Sequence, residues 1–261
     1  MEGRRTLSDK LPAKLLTVRM KHRVGTVSLD VEFALTKPWT VLFGPSGSGK
    51  TTVLRTIAGF VRPEEAVIMR GAEVLVDSKA RISLPAYTRP VRSAGQTARL
   101  FPQMTVRENV AYGVGWDSKS EAARGLVDEV LKLFRLGVTT ESLPRDLSGG
   151  EQQKVSVARA VASAVTTGGS DGALLLLDEP FAGLDMRVRD ELAVELKEWL
   201  GERKTPVLSV THDVSEAFLL GAEVIKLRDG RVVQQGPVGE ALREERHRLI
   251  EHLGVVDQLP G

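Results

Sequence analysis

Two clusters of residues have types and spacing that point to chemistry. Gly44-Pro45-Ser46-Gly47-Ser48-Gly49-Lys50-Thr51 fits the pattern Gly-x-x-x-x-Gly-Lys-Ser/Thr in full. The glycines let backbone N–H groups turn inward around phosphate oxygens, where a Cβ would crowd them. Val53, Leu54 and Ile57 then fall at helical spacing, so a helix opens near Lys50 and adds its positive N-terminal end. Lys50 suits the β- and γ-phosphates of a nucleoside triphosphate, Thr51 suits Mg²⁺, and Thr52 stands beside them. The second cluster is Asp178-Glu179-Pro180, directly after the apolar run Ala173–Leu177. A carboxylate at the end of a buried strand lies at the sheet edge where ligands bind. Asp178 can hold Mg²⁺ through water, and Glu179 can polarise an attacking water as a general base. Alone, two acids at a strand end read as a solvated terminus; the phosphate cradle upstream favours the chemical reading.

The composition supports a folded domain around these residues. Of 261 residues, 42 % are apolar, 5 % aromatic and 27 % charged, with 36 Lys+Arg against 34 Asp+Glu. That supplies a core and rules out wholesale disorder, while a net charge of +2 gives no general attraction to phosphate backbones. The absence of cysteine excludes disulfides, thiolate metal sites and cysteine nucleophiles. His22, His212, His247 and His252 have no metal-ligand spacing; His247 and His252 fall in a charged helix and read as solvated. The longest apolar run falls far short of the roughly 20 residues that cross a bilayer. The polar segment Met1–Lys14 lacks the apolar stretch of a signal peptide, so the chain reads as soluble and intracellular.

The elements that must position the chemistry follow from periodicity. Leu15–Val18 and Val24–Phe33 alternate as antiparallel strands, Thr40–Phe43 is a short strand entering the cradle, and Val67–Met69 with Glu73–Val76 form a hairpin. Ser78–Ala94 is turn-rich and reads as loop with one weak strand. From Thr105 to Val165 the period is helical, with Ser148 at an N-cap position before Gln152–Val165. Gly168-Gly169-Ser170 is a loop, and Ala173–Leu177 has the unbroken apolarity of a parallel strand covered on both faces. Val188–Leu200 is a helix, Pro206–Thr211 a strand, Val214–Leu220 a helix, and Val224–Leu227 and Arg231–Gln235 are strands. An amphipathic helix, Val238–Leu253, closes the chain. Strands alternating with helices indicate a largely parallel sheet.

Leu147-Ser148-Gly149-Gly150-Glu151-Gln152-Gln153 resembles the signature motif of ATP-binding cassette (ABC) proteins. In family order, Gln96 resembles the Q-loop glutamine, Ala182-Gly183-Leu184-Asp185 the D-loop, and Thr211-His212-Asp213 the switch-histidine segment. The resemblance runs from about Leu15 to Gln235. It implies an α/β P-loop ATPase with a RecA-like mixed-sheet core, an antiparallel β-subdomain and a helical subdomain. The cassette would span 15–240, its helical part about 97–165, with a polar tail over 1–14 and a helical extension over 241–261. It further implies two copies joined head to tail, each ATP lying between one copy's cradle and the other's signature motif, with Asp185 at the junction. Ser148, Gly149 and Gly150 open a helix, so a second anion site there agrees with the chemistry. His212 would contact the γ-phosphate, and Gln96 would reach Mg²⁺ and the attacking water.

Within the family, Gln96–Val110 resembles importer ATPases, and Ala98-Arg99-Leu100-Phe101-Pro102 is similar to molybdate importers. Permease subunits would then dock near Gln96–Pro102 on the cytoplasmic face of the membrane, served indirectly by a solute-binding protein. Three departures are visible. No aromatic stands near Lys21–Val24 to stack on adenine, Arg92-Ser93-Ala94-Gly95 replaces the usual apolar strand, and the chain's end at Gly261 leaves no room for a regulatory β-domain. A soluble ABC ATPase acting on nucleic acid is the alternative from another class. It is disfavoured by the single cassette, the near-neutral charge and the lack of heptads or cysteines. An exporter ATPase would preserve the same chemistry.

Overall fold

A computed structural model describes residues 15–115, 120–167 and 172–252. The tail over 1–14, the loop at 168–170 and Leu253 lie outside the described residues. β1 (Leu16–Val24) and β2 (Val27–Leu35) pair antiparallel, with Leu16 opposite Leu35. A turn at Gly25 and Thr26 separates them, so the strand expected from Val24 begins three residues later. β3 (Trp39–Phe43) runs into the glycine cradle and α1 (Lys50–Ala58) follows. β4 (Glu65–Arg70) and β5 (Glu73–Asp77) form the expected hairpin, and β6 (Ile82–Ser83) extends it.

β7 (Val91–Ala94) falls within Ser78–Ala94, the stretch expected as loop with one weak strand, and keeps a strand where Arg92 and Ser93 depart from the family's apolar pattern. It is an edge strand, parallel to β8 (Leu174–Asp178), with Arg92 opposite Leu175. Arg92 is tolerated because its guanidinium donates to the Ser163 hydroxyl at 2.9 Å and to the Arg89 and Val91 carbonyls. The apolar stem stays in the sheet while the charged head finds acceptors.

The helical part comprises α2 (Val106–Val114), α3 (Glu121–Leu133) and α4 (Gly149–Thr166). α5 (Met186–Glu202), β9 (Val207–Thr211), α6 (Val214–Leu219), β10 (Glu223–Arg228) and β11 (Arg231–Pro237) complete the core. The expected final helix is broken into α7 (Val238–Ala241) and α8 (Arg243–His252). Leu242 between them is fully buried, and the largely buried Lys226–Glu245 pair at 2.8 Å ties α8 to β10.

The described strands form one sheet in the order β6-β5-β4-β1-β2-β11-β10-β3-β9-β8-β7. β10, β3, β9, β8 and β7 are mutually parallel, while β1, β2, β4, β5 and β6 pair antiparallel. The sheet is therefore mixed rather than largely parallel. Leu174 and Leu176 face the α1 side with Val53 and Ile57, whereas Leu175 and Leu177 face α4 and α5 with Val161 and Leu196. Covered on both faces, β8 needs no polar alternation.

Candidate functional site

The cradle is shaped by close approach. At Gly44 a Cβ would lie 2.2 Å from the Leu227 carbonyl oxygen. Gly49 has φ 99° and a Cβ there would strike Leu29 at 2.2 Å, so only glycine fits both turns. Lys50 is 6 % exposed and its Nζ donates to the Gly44 and Pro45 carbonyls at 2.8 Å each, which curls the loop around the ammonium. Burial lowers the Lys50 pKa, opposed by the Glu179 and Asp178 carboxylates. The Ser48 hydroxyl is buried and without a partner among the described residues. An orphaned donor, a buried ammonium and a loop too tight for side chains fit an anion with several oxygens.

The opposite wall comes from the ends of parallel strands. β8 and β9 pair with Asp178 opposite Val210, which brings Glu179 beside His212. His212 Nδ1 lies 3.0 Å from Glu179 Oε1, and Gln96 Nε2 donates to Glu179 Oε2 at 3.2 Å. The three residues expected to act on the γ-phosphate and its water thus meet at one carboxylate. Glu179 holds a left-handed backbone, φ 49°, fixed by its N–H to the Val210 carbonyl at 3.0 Å. Asp178 is buried, and burial pushes its carboxyl up; a hydrogen bond from Thr51 and the Lys50 charge oppose this, and Glu179 adds to it. A buried carboxylate facing a threonine hydroxyl and a lysine fits a hydrated divalent cation, which would restore the missing positive charge.

Ser148 caps α4 in a reciprocal capping box: its hydroxyl accepts from Glu151 N–H, and Glu151 Oε2 accepts from the Ser148 N–H at 2.9 Å and hydroxyl at 2.7 Å. These bonds from Ser148 hold the Glu151 carboxyl below its ordinary pKa. Gly150 packs against the Gly183 carbonyl, so a Cβ there would come to 2.8 Å. Asp185 caps α5, accepting from Arg187 N–H at 3.0 Å. The signature motif and D-loop are adjacent within one chain, and Ser148 is exposed.

Several residues here lay beyond sequence reasoning. Gln153 is buried on α4 and donates to the Gly95 carbonyl at 3.2 Å and the Glu179 carbonyl at 3.5 Å, bracing both sides of the site. Its signal was a glutamine on the same helical face as Val157 and Val161. Phe101 stands in the segment expected to receive the permease. It is half-buried, 4.4 Å from the Tyr112 ring and 5.1 Å beneath Arg159, with its backbone clamped by Asn109. Leu100 packs on the main core. A cleft lined by Thr51, Arg55, Phe60, Gln96, Arg99 and Arg159 opens beside them, and Phe60 is 62 % exposed. At the end of β1, Arg23 and Val24 are exposed. Among the described residues no helix is long and apolar enough to cross a membrane.

Comparison with known proteins agrees with this geometry. The family model described as ABC transporter matches residues 27–182. The chain is 38 % identical over 220 residues to the molybdenum import ATP-binding protein ModC of Mesorhizobium japonicum, covering 84 % of this chain and 57 % of that protein. It is 37 % identical over 225 residues to the ModC of Brucella melitensis, covering 86 % and 60 %. The chain therefore spans less than two thirds of the length of these relatives. An Fe(3+) ions import ATP-binding protein, FbpC of Streptomyces avermitilis, is 37 % identical over 252 residues, covering 96 % and 69 %. A solved structure of the ATP binding subunit of an ABC transporter superposes with a TM-score of 0.70 at 25 % identity, covering 89 % of this chain and 93 % of that one. With a matching model over more than half its length, on a fold that carries the cradle and the carboxylates together, the chain belongs to the ABC transporter family.

Proposed function

We propose that this chain is the ATP-hydrolysing subunit of an importer that carries a small inorganic ion, molybdate first among them, through separate transmembrane subunits. The convergence of Gln96 and His212 on Glu179, opposite the Lys50 cradle, carries the reading. Lys50 and the backbone of Gly44–Thr52 bind the phosphates of ATP. Glu179 accepts a proton from the attacking water, Gln96 orients that water, and His212 aligns the carboxylate and meets the γ-phosphate. Thr51, Asp178 and Gln96 would hold Mg²⁺, which supplies neutralising charge to the phosphate oxygens. The names of the Mesorhizobium and Brucella relatives favour molybdate, and that of the Streptomyces relative keeps ferric iron as a second cargo.

Lys50→Ala tests the cradle. Loss of charge-assisted bonds to phosphate costs about 1.5–3 kcal/mol, so ATP binding should weaken roughly ten- to hundredfold by titration calorimetry. Unchanged affinity would move the nucleotide elsewhere. In cells supplied with the matching permease, the same variant should stop uptake of molybdate; uptake of iron alone by the unaltered chain would reassign the cargo.

The permease docks beside Gln96–Pro102, on the half-covered ring of Phe101 and the cleft bearing Phe60. Exposed aromatic surface of this kind marks partner sites. Phe101→Ser should leave ATP binding intact and lower the melting temperature by only a few degrees, because the ring is half-buried. Co-purification with the membrane subunits should fall. A collapse of both melting temperature and ATP binding would make Phe101 a core residue instead.

A further inference from the structure

β9 delivers His212 to the site, and the turn that follows is fixed one layer deeper. The Thr211 hydroxyl accepts from the Asp213 backbone N–H at 3.0 Å and donates to Glu216 Oε2 at 3.1 Å. Asp213 Oδ1 accepts from the Glu216 N–H at 3.1 Å. These bonds close a ring around residue 212, so they set the direction in which the exposed imidazole leaves the backbone. The Glu216 carboxyl is buried, and its Oε1 has no partner among the described residues. A buried carboxylate oxygen without a donor is costly, and a proton on it relieves the cost. The charged groups facing it are Asp213 on its own turn, Glu179 at the end of β8 and Arg189 on α5. Arg189 is already committed to Asp190 at 2.9 Å and Asp213 at 2.5 Å.

Taking the ATP-hydrolysing role as given, we propose that Glu216 is a positioning residue for His212 whose ionisation tightens the turn. As a carboxylate it holds the Thr211 hydroxyl firmly, since a charged acceptor makes about twice as strong a bond as a neutral one. As a neutral acid it is a weaker acceptor, the grip on Thr211 loosens, and the His212–Glu179 contact loosens with it. Burial pushes the Glu216 carboxyl up to about 7, with Asp213 and Glu179 pushing the same way and Thr211 and Arg189 opposing. The ring therefore tightens as pH rises through neutrality.

The test is steady-state ATP hydrolysis by the full chain from about pH 6 to about pH 8.5, with ATP binding measured alongside, for the unaltered protein, Glu216→Gln and Thr211→Val. The unaltered chain should lose roughly tenfold in kcat below neutrality, the scale of a misplaced catalytic group. Glu216→Gln mimics the neutral acid and should stay about tenfold low across the range, with KM within about twofold. Thr211→Val removes the hydroxyl at constant volume and should flatten the same limb; it decides the matter if Glu216→Gln does not fold. The comparison of the three profiles isolates the contribution of the Glu216–Thr211 bond. Folded variants that keep the original pH profile overturn the positioning role alone. An unaltered chain that binds ATP but hydrolyses none at pH 8 overturns the hydrolytic role and this one with it.

Discussion

Glu179→Gln should slow ATP hydrolysis by about 10²–10⁴ while leaving ATP affinity within a few-fold of its original value. The glutamine keeps the shape of the side chain, and its amide can still meet Gln96 and His212, which lie 3.2 and 3.0 Å from the two carboxylate oxygens. What it loses is the ability to accept a proton from water as the oxygen attacks phosphorus. The phosphate contacts of Lys50 and the cradle are untouched, so binding persists and the unreacted nucleotide accumulates. In the head-to-tail pair that the family resemblance implies, each ATP would join two chains, so the variant with ATP and Mg²⁺ should elute from gel filtration as a dimer. Loss of negative charge near the phosphates favours the same outcome, because Glu179 faces Lys50 across the site. A variant that remains monomeric and fully active would remove Glu179 from the chemistry and leave the site without its base.

How far the sequence foretells this site depends on the distance over which each part is encoded. The cradle is local: eight consecutive residues carry the glycines, the lysine and the threonine, and the close approaches at Gly44 and Gly49 agree with them. Ser148 with Glu151 is equally local, since a capping box is written in four residues. The meeting of Gln96, Glu179 and His212 is not local. It follows from β8 and β9 lying side by side in parallel register, which the sequence supplied only through resemblance to a family. Val91–Ala94 reads only as weak strand because a four-residue edge strand has too little periodicity, and Arg92 finds its acceptor on Ser163, 71 residues away. Gln153 and Glu216 were missed for a related reason. Each is a polar residue buried on a helix, and for Gln153 the carbonyls that satisfy it lie 58 and 26 residues off in sequence. Such residues become legible only when the tertiary partners are known. The break at Leu242 is also tertiary, imposed by burial of that leucine and the Lys226–Glu245 pair on a segment whose own pattern is continuously helical.

Ser148→Arg should abolish hydrolysis even though Ser148 makes none of the bonds that form the cradle of its own chain. In the head-to-tail arrangement that the family resemblance implies, the exposed N-terminus of α4 would have to approach the γ-phosphate bound by the other copy to hydrogen-bond distance, about 2.7–3.2 Å. The Ser148 hydroxyl is held against Glu151 Oε2 at 2.7 Å, and an arginine would replace it with a side chain several ångströms longer. Closure would be blocked sterically, and the flexible cation could not reproduce the geometry of the first-turn N–H groups. The fold should survive: Ser148 is exposed, and losing a helix cap costs about 0.5–2 kcal/mol, so ATP should still bind to the isolated cradle. Mixing supplies the decisive measurement. A Ser148→Arg chain paired with a Lys50→Ala chain contains one composite site with both defects and one with neither. The mixture should therefore recover up to about half of the activity of the unaltered pair, scaled by the fraction of mixed dimers, while each variant alone stays inactive. Full activity from Ser148→Arg alone, or no recovery in verified mixed dimers, would mean that the signature motif of one chain does not complete the site of the other.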